Sequence, residues 1–326
     1  MKSLAANAIP VWASLKEQRV ALAEIGEDDL SFPGFEMAVA RTADWWNIDA
    51  AGLLNLVAKE QPRVPRGLIF HTCRCGSTLA ANMLGAHPLL RVIKEPELIN
   101  QFLLQRRTHP DEPGNSSLLH ALVRSYGRGL SKDHGTVVKF TSWNLAFADY
   151  VMRAFPDAGA TVMWRSAAPT VASFVATPPG WAVLRSSPAE FHEIFGEYTD
   201  DGVPSDLAEF SFYATAWLAF ANYGIELVRR YPERVTLVDY DDMCSSFPAF
   251  IDRAVTRLGI TATEPTTRAM LSVTRFYAKD ASGRAVFNPA VVHARPVLGG
   301  AEADIVDRIC GATEAILQNI TTRPET

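Results

Sequence analysis

The stretch of this chain best suited to chemistry is Gly67-Leu68-Ile69-Phe70-His71-Thr72-Cys73-Arg74-Cys75-Gly76-Ser77-Thr78-Leu79. It reads as a short buried strand, a compact turn of small and polar residues, and the start of an apolar helix. Such a turn holds phosphate or sulfate, because the first amides of a helix have no partners within it and the helix dipole favours negative charge there. A Walker A loop would place a lysine directly after the glycine, to reach the outer phosphates of a nucleoside triphosphate. Here Ser77 and Thr78 follow Gly76, and the basic residue, Arg74, precedes it by two positions. The anion reading therefore stands, while an ordinary ATP or GTP reading is weakened. Cys73 and Cys75 flank Arg74; a helix N-terminus lowers thiol pKa values, so redox sensitivity and inert small side chains are both open readings. A Cys-x-Cys zinc site needs further ligands, and the spacing to His71 and His87 fits no zinc pattern, so no metal is expected.

A sheet must carry this loop, and the chain alternates accordingly. Strands are expected at 67–71, 91–94, 136–140, 160–165 and 234–240. Helices are expected at 77–86, 97–105, beyond 115, and at 146–154, 169–176, 207–230, 241–259 and 301–318. The fold class is α/β, a three-layer arrangement with a central parallel β-sheet flanked by helices. Residues 1–60, rich in Ala, Leu and Glu, are expected to form a mainly helical N-terminal extension. It ends at the proline-bearing link 61–66, and residues 61–326 form the α/β domain. Trp45 and Trp46 either pack on the core or line a cleft. Residues 177–206 break the rhythm: Pro178-Pro179-Gly180-Trp181 lead into an acidic run of Glu190, Glu193, Glu197, Asp200, Asp201, Asp206 and Glu209. That run reads as solvated surface or as a lid over a ligand.

At 326 residues, with 48% hydrophobic and 21% charged, the chain can bury the core of one large α/β domain. A net charge of −5 argues against a general nucleic-acid or anionic-membrane binder. No stretch approaches the ~20 apolar residues needed to span a bilayer. The first ten residues carry no sustained apolar run, so no signal peptide is expected. The four cysteines show no framework spacing. Reduced thiols and a cytoplasmic location follow as expectations.

Arg74, Cys75, Gly76, Ser77 and Thr78 match in order the 5′-phosphosulfate loop of the sulfotransferases that use 3′-phosphoadenosine 5′-phosphosulfate (PAPS), and residues 66–285 resemble that family. The resemblance implies a P-loop NTPase-like fold and assigns these five residues to the donor. Arg165, ending a strand-like run, and Ser173, eight residues on, have the spacing of the pair that binds the donor's 3′-phosphate; a guanidinium makes paired, charge-assisted bonds to such a group. In the branch that resembles tyrosylprotein and heparan sulfotransferases, a His-Pro and a second strand lead to a glutamate general base, and here Ala86-His87-Pro88 leads to Glu95. The alternatives for Glu95 are capping the next helix or pairing with Lys94. Lys139-Phe140-Thr141 keeps the lysine but not the histidine of the Lys-Thr-His found in many cytosolic members, which favours Glu95 as base. Lys139 would then stabilise charge on the bridging oxygen, or else reach solvent. Lys279 and Arg284 fall where the family has a basic loop over the nucleotide. Leu237–Met243 resembles a Tyr-Glu-Asp-Leu segment and reads as structural capping.

The resemblance thus implies PAPS as co-substrate, 3′-phosphoadenosine 5′-phosphate (PAP) as product, no metal, and a small-molecule or small polymeric acceptor bearing a hydroxyl or amine. Trp143, Phe174 and Trp181 hint at an apolar or aromatic acceptor, and the acidic run at a cationic one. A P-loop kinase with a degenerate loop is the rival reading and would need Mg²⁺ on a carboxylate such as Asp239. A non-catalytic nucleotide-binding protein is the other.

Overall fold

A computed structural model describes residues 4–14, 16–42, 44–108, 115–196, 209–276, 278, 280, 285 and 298–322. The first 60 residues depart from expectation. They hold an antiparallel sheet of β1 (Ile9–Ser14), β2 (Arg19–Ala23) and β3 (Trp45–Asp49), with β2 in the middle, alongside the short helix α1 (Phe35–Val39) and the longer α2 (Ala50–Glu60). The helical expectation followed Ala and Leu content, but strand formation depends on what a segment pairs with, and β2 pairs with β1 in a hairpin and with β3 from farther along the chain. Of the expected helical content, α2 and the short α1 remain; Asp49 caps α2 by accepting from the Gly52 amide, and Gln61 ends it in the left-handed region at φ +50°. Trp46 packs on the core, whereas Trp45 is exposed.

All five expected strands of the main sheet are present. They are β4 (Gly67–His71), β5 (Leu90–Lys94), β6 (Gly135–Lys139), β7 (Gly159–Trp164) and β8 (Val235–Asp239), parallel throughout and ordered β5-β6-β4-β7-β8. The first of them in sequence therefore lies at the centre. From β4 the chain goes out to the edge at β5, returns to β6 beside β4, then crosses to β7 and β8 on the other side. Ligands of open α/β sheets sit beyond the carboxyl ends of the strands at such a switch point. Strands β4, β5 and β6 are buried along their whole length, as parallel strands covered on both faces must be.

Helices cover both faces. In order they are α3 (Ser77–Gly85), α4 (Glu97–Thr108), α5 (Asn115–Ser125), α6 (Ala148–Ala154), α7 (Ala167–Ala176), α8 (Pro188–Phe195), α9 (Glu209–Arg230), α10 (Tyr240–Ser245), α11 (Phe247–Arg257), α12 (Glu264–Ser272) and α13 (Gly300–Thr321). Strand alternation splits the interior in two. Leu68, Phe70, Val138, Val162 and Trp164 face a core shared with α7, α9, α13 and the N-terminal sheet. Ile69, Val92, Val137 and Met163 face a second core under α3, α11 and α12. The single helix expected at 241–259 is broken at Ser246, whose extended backbone and hydroxyl start α11 anew, with Pro248 in its first turn. In the acidic segment, α8 buries Phe191, Ile194 and Phe195 while Glu190 and Glu193 are exposed. Glu197, Asp200, Asp201 and Asp206 lie outside the described residues.

The N-terminal sheet shares its core with the α/β unit. Arg128, 2% exposed, fixes that junction by donating to both carboxylate oxygens of Glu60 and to the carbonyl oxygens of Ala8 and Ala5. Arg128→Met is expected to lower stability by about 2–4 kcal/mol, since it strips a partly buried carboxylate and two carbonyls of their donor. Urea unfolding of the wild type and the variant measures this.

Candidate functional site

Beyond the carboxyl ends of β4, β5, β6 and β7 lies a cavity of about 550 Å³, within the usual range for small-molecule sites. Its walls bring together Arg74, Cys75, Gly76, Ser77, Thr78, Glu95 and Arg165. The loop after β4 is bent by left-handed residues: Cys73 at φ +70°, Arg74 at φ +52° and Gly76 at φ +75°. Non-glycine residues hold that conformation only where the surroundings impose it, and such residues cluster at functional sites. Here the Cys73 amide donates to His71 Nδ1 (3.1 Å) and the Thr72 amide to the Met163 carbonyl (3.0 Å). Gly76 is required twice over, because a Cβ there would lie 2.6 Å from the Tyr240 ring and 2.9 Å from Met243 Cε. The first α3 amide bonded back into the turn is that of Ala80, to the Gly76 carbonyl (3.0 Å). The amides of Ser77, Thr78 and Leu79 therefore precede the helical ladder, as an anion cradle needs.

The two arginines are held by backbone and ring contacts, and neither is neutralised by a carboxylate among the described residues. Arg74 donates to the Thr177 carbonyl at the end of α7 (2.7 Å). The Arg165 guanidinium lies over the Tyr240 ring, 4.5 Å from its centroid, and its carbonyl accepts from Trp217 Nε1 (3.0 Å). Both Nε atoms are buried with no hydrogen-bond partner among the described residues, as are Thr72 Oγ1 and Trp181 Nε1. Of these residues Arg74, Arg165 and Trp181 line the cavity, and orphaned donors there fit an anionic, multiply accepting ligand. Cys75 is fully buried, its thiol donating to the Met163 carbonyl (3.2 Å), and burial pushes that thiol up to about 11, so it is not a reactive thiolate.

Glu95 sits just past β5 in the left-handed region at φ +53°, its amide donating to the Lys139 carbonyl (2.6 Å). Its Oε1 accepts from Lys139 Nζ and lies 3.5 Å from His71 Nε2. Burial raises this carboxyl, but the Lys139 ammonium and the His71 ring outweigh it and hold Glu95 far below the usual carboxylate range. His71 has one tautomer consistent with its contacts. Nδ1 accepts an amide proton, so Nε2 carries the hydrogen and donates to the Phe140 carbonyl (2.9 Å). Neither alternative reading of Glu95 holds. Lys94 turns away to the Ser31 carbonyl (3.0 Å) and Asn82 Oδ1 (2.9 Å), and the Glu97 amide at the start of α4 is met by Glu36 Oε1 (3.0 Å).

Several expected residues are placed differently. Lys139 is fully buried and is not part of the cavity wall: its ammonium meets Glu95 rather than reaching solvent. Ser173 is fully buried in α7 and is likewise absent from the wall. Phe174 is core, edge-on to Trp181 at 5.2 Å, while Trp143 and Trp181 do line the cavity. Lys279 and Arg284 lie outside the described residues. Asp239, the carboxylate the kinase reading would require, caps α10 by accepting from the amides of Asp241 and Asp242.

The wall also holds His71, Glu97, Asn100, Thr141 and Tyr240, to which motif reading gave no part in the site. Asn100 Nδ2 donates to Glu97, and Asn100 Oδ1 accepts from Asn144 Nδ2 (2.9 Å). The Thr141 hydroxyl lies 2.8 Å from Asn144 Oδ1. His71 and Tyr240 had a legible signal, since each stands at the carboxyl end of an expected strand.

Gly76→Ala tests the loop. It is expected to cost on the order of 2–4 kcal/mol, from strain at positive φ plus overlap with Tyr240 and Met243. Stabilisation of the protein by inorganic sulfate or phosphate should be lost with it, and thermal melts with and without the anions read both effects.

No protein-family model matches the chain, and no curated protein matches it in sequence. Solved structures similar to it include a sulfotransferase from Mycobacterium avium, at 12% identity and a TM-score of 0.49, covering 82% of this chain and 83% of that one. Another is a sulfotransferase from Alicyclobacillus acidocaldarius, at 15% identity and 0.46, covering 81% and 98%. A third is the mouse sulfotransferase SULT7A1 complexed with PAP, at 10% identity and 0.43, covering 82% and 93%. Similarity at this level carries no functional argument by itself, and the chemistry of the cavity has to supply one.

Proposed function

We propose that the protein is a PAPS-dependent sulfotransferase acting on a hydroxyl or amine of a small acceptor. The observation that carries this is one cavity in which arginines with no carboxylate partner among the described residues, together with helix-start amides, share a wall with an ionised carboxylate at the end of β5. PAPS, when bound, supplies an activated sulfuryl group. Ser77, Thr78 and the turn amides fit its 5′ end, and Arg165, with its orphaned Nε, fits a phosphate. Arg74 and the amides take up the negative charge that collects on the departing phosphate oxygen. Glu95 accepts the acceptor's proton as the new sulfur–oxygen or sulfur–nitrogen bond forms and the sulfur–oxygen bond to phosphate breaks. The products are the sulfated acceptor and PAP.

Lys139 takes a different part from the one motif reading gives it. It keeps Glu95 ionised and aimed, and so acts as a positioning residue. A carboxylate held that low is a weak base. Its contribution accordingly belongs at the modest end of general-base effects, about 10²–10³-fold.

PAP should raise the melting temperature of the protein and ATP with Mg²⁺ should not; stabilisation by ATP–Mg²⁺ alone would overturn the reading. Glu95→Gln should slow sulfate transfer by about 10²–10³-fold while leaving PAP binding intact. Full turnover by this variant would remove Glu95 from the mechanism. Lys139→Met should move the acid limb of the kcat–pH profile upward, because the ammonium that does most to lower the Glu95 carboxyl is gone and only the His71 ring still opposes burial. An unmoved limb would detach Lys139 from Glu95.

A further inference from the structure

The cavity is not uniform in charge. Arg165 follows β7 and Glu95 follows β5, three strand positions away in the sheet, or on the order of 14 Å at ordinary strand spacing. The β7 side carries the arginine and, with the start of α3, the anion cradle. The β5 side carries Glu95 and Glu97, next to Asn100, Thr141 and Trp143. Glu95 is balanced by Lys139. Glu97 has no ion pair among the described residues; Asn100 Nδ2 donates to its two oxygens (3.4 and 3.2 Å), which aims the carboxylate without neutralising it. A helix start favours a carboxylate at this position but does not decide that it faces a cavity. That it does face one leaves a negative charge on the acceptor side of the site.

We infer that the acceptor is a cationic amphiphile, a hydroxyl compound carrying a protonated amine on an apolar or aromatic body. Glu97 binds the ammonium while Glu95 receives the hydroxyl. One residue, Pro96, separates the two glutamates, which puts their Cα atoms at most about 7 Å apart, so the amine and hydroxyl of the acceptor stand a small molecule's length apart. Trp143, Trp181, Pro178 and Pro179 supply an apolar wall, and an aromatic face also attracts a cation. The amine preference makes Glu97 a specificity-determining residue. The inference rests on the acceptor side of the reading above, and its test does not need turnover.

Three matched probes decide it: tyramine, N-acetyltyramine and 3-(4-hydroxyphenyl)propionate, titrated calorimetrically into the protein with and without PAP. Tyramine should bind about tenfold or more tighter than its neutral analogue, with an advantage that shrinks in high salt, and the carboxylate should bind weakest. Glu97→Gln should bring tyramine down to the level of N-acetyltyramine and leave N-acetyltyramine unchanged. Equal binding of tyramine and N-acetyltyramine by the wild type would overturn the inference, as would a Glu97→Gln variant that weakens all three alike. Failure of PAP to bind would instead strike the donor reading, and the amine preference would still be read from the PAP-free titrations.

Discussion

A fully buried lysine at the end of a parallel strand requires a partner, and the Lys139–Glu95 contact supplies it. Removing either member would strand the other charge in a low-dielectric interior. The contact therefore dictates much around it. It holds Glu95 at positive φ with its amide on the Lys139 carbonyl, which brings the end of β5 to the end of β6. It places His71, from β4 between β6 and β7, against the same oxygen, and the His71 ring in turn receives the Cys73 amide that shapes the anion turn. One ion pair thus links the proton-accepting side of the cavity to the anion-holding side. Glu95 Oε1 lies 3.5 Å from His71 Nε2, and a single hydrogen bond, from the Cys73 amide to His71 Nδ1, carries the link on into the turn.

The anion side is arranged on a different principle. Its cations are positioned by neutral groups: a helix-end carbonyl for Arg74, an aromatic face for Arg165. Their charge is left available to a ligand, in contrast to Arg128, whose guanidinium is saturated by Glu60 and carbonyls and serves packing alone. The same side chain thus has opposite uses in one molecule. The number of acceptors already around it separates the two.

The sequence made the main sheet legible because its strands are short β-branched or apolar runs buried on both faces, each followed by a polar turn. Gly76, with Ser77 and Thr78, was legible because only a glycine tolerates that turn and the helix start follows directly. Neighbour-dependent features were not legible. The β1–β2–β3 sheet pairs residues up to 30 positions apart, and no local pattern announces it. Lys139 and Ser173 have the right spacing but are sealed from the cavity, because spacing along a strand or helix does not say which atoms end between a side chain and the ligand. Glu97 and Asn100 were missed for the converse reason: nothing marks a helix's first turn as cavity wall until α4 is packed against the loop after β6.

The donation of the Ala167 amide to Glu314 Oε2 (3.0 Å) joins residues 147 positions apart. Through it, α13 caps the start of α7, two residues beyond Arg165, while Thr321 near its far end receives Trp164 Nε1 (3.1 Å). On a ribosome, which releases the chain from its amino end, β4, the anion turn and Arg165 all emerge long before their clamp does. The nascent chain therefore holds the Ala167 amide without its Glu314 acceptor, and the Trp164 indole without its Thr321 partner, until residues 300–321 arrive.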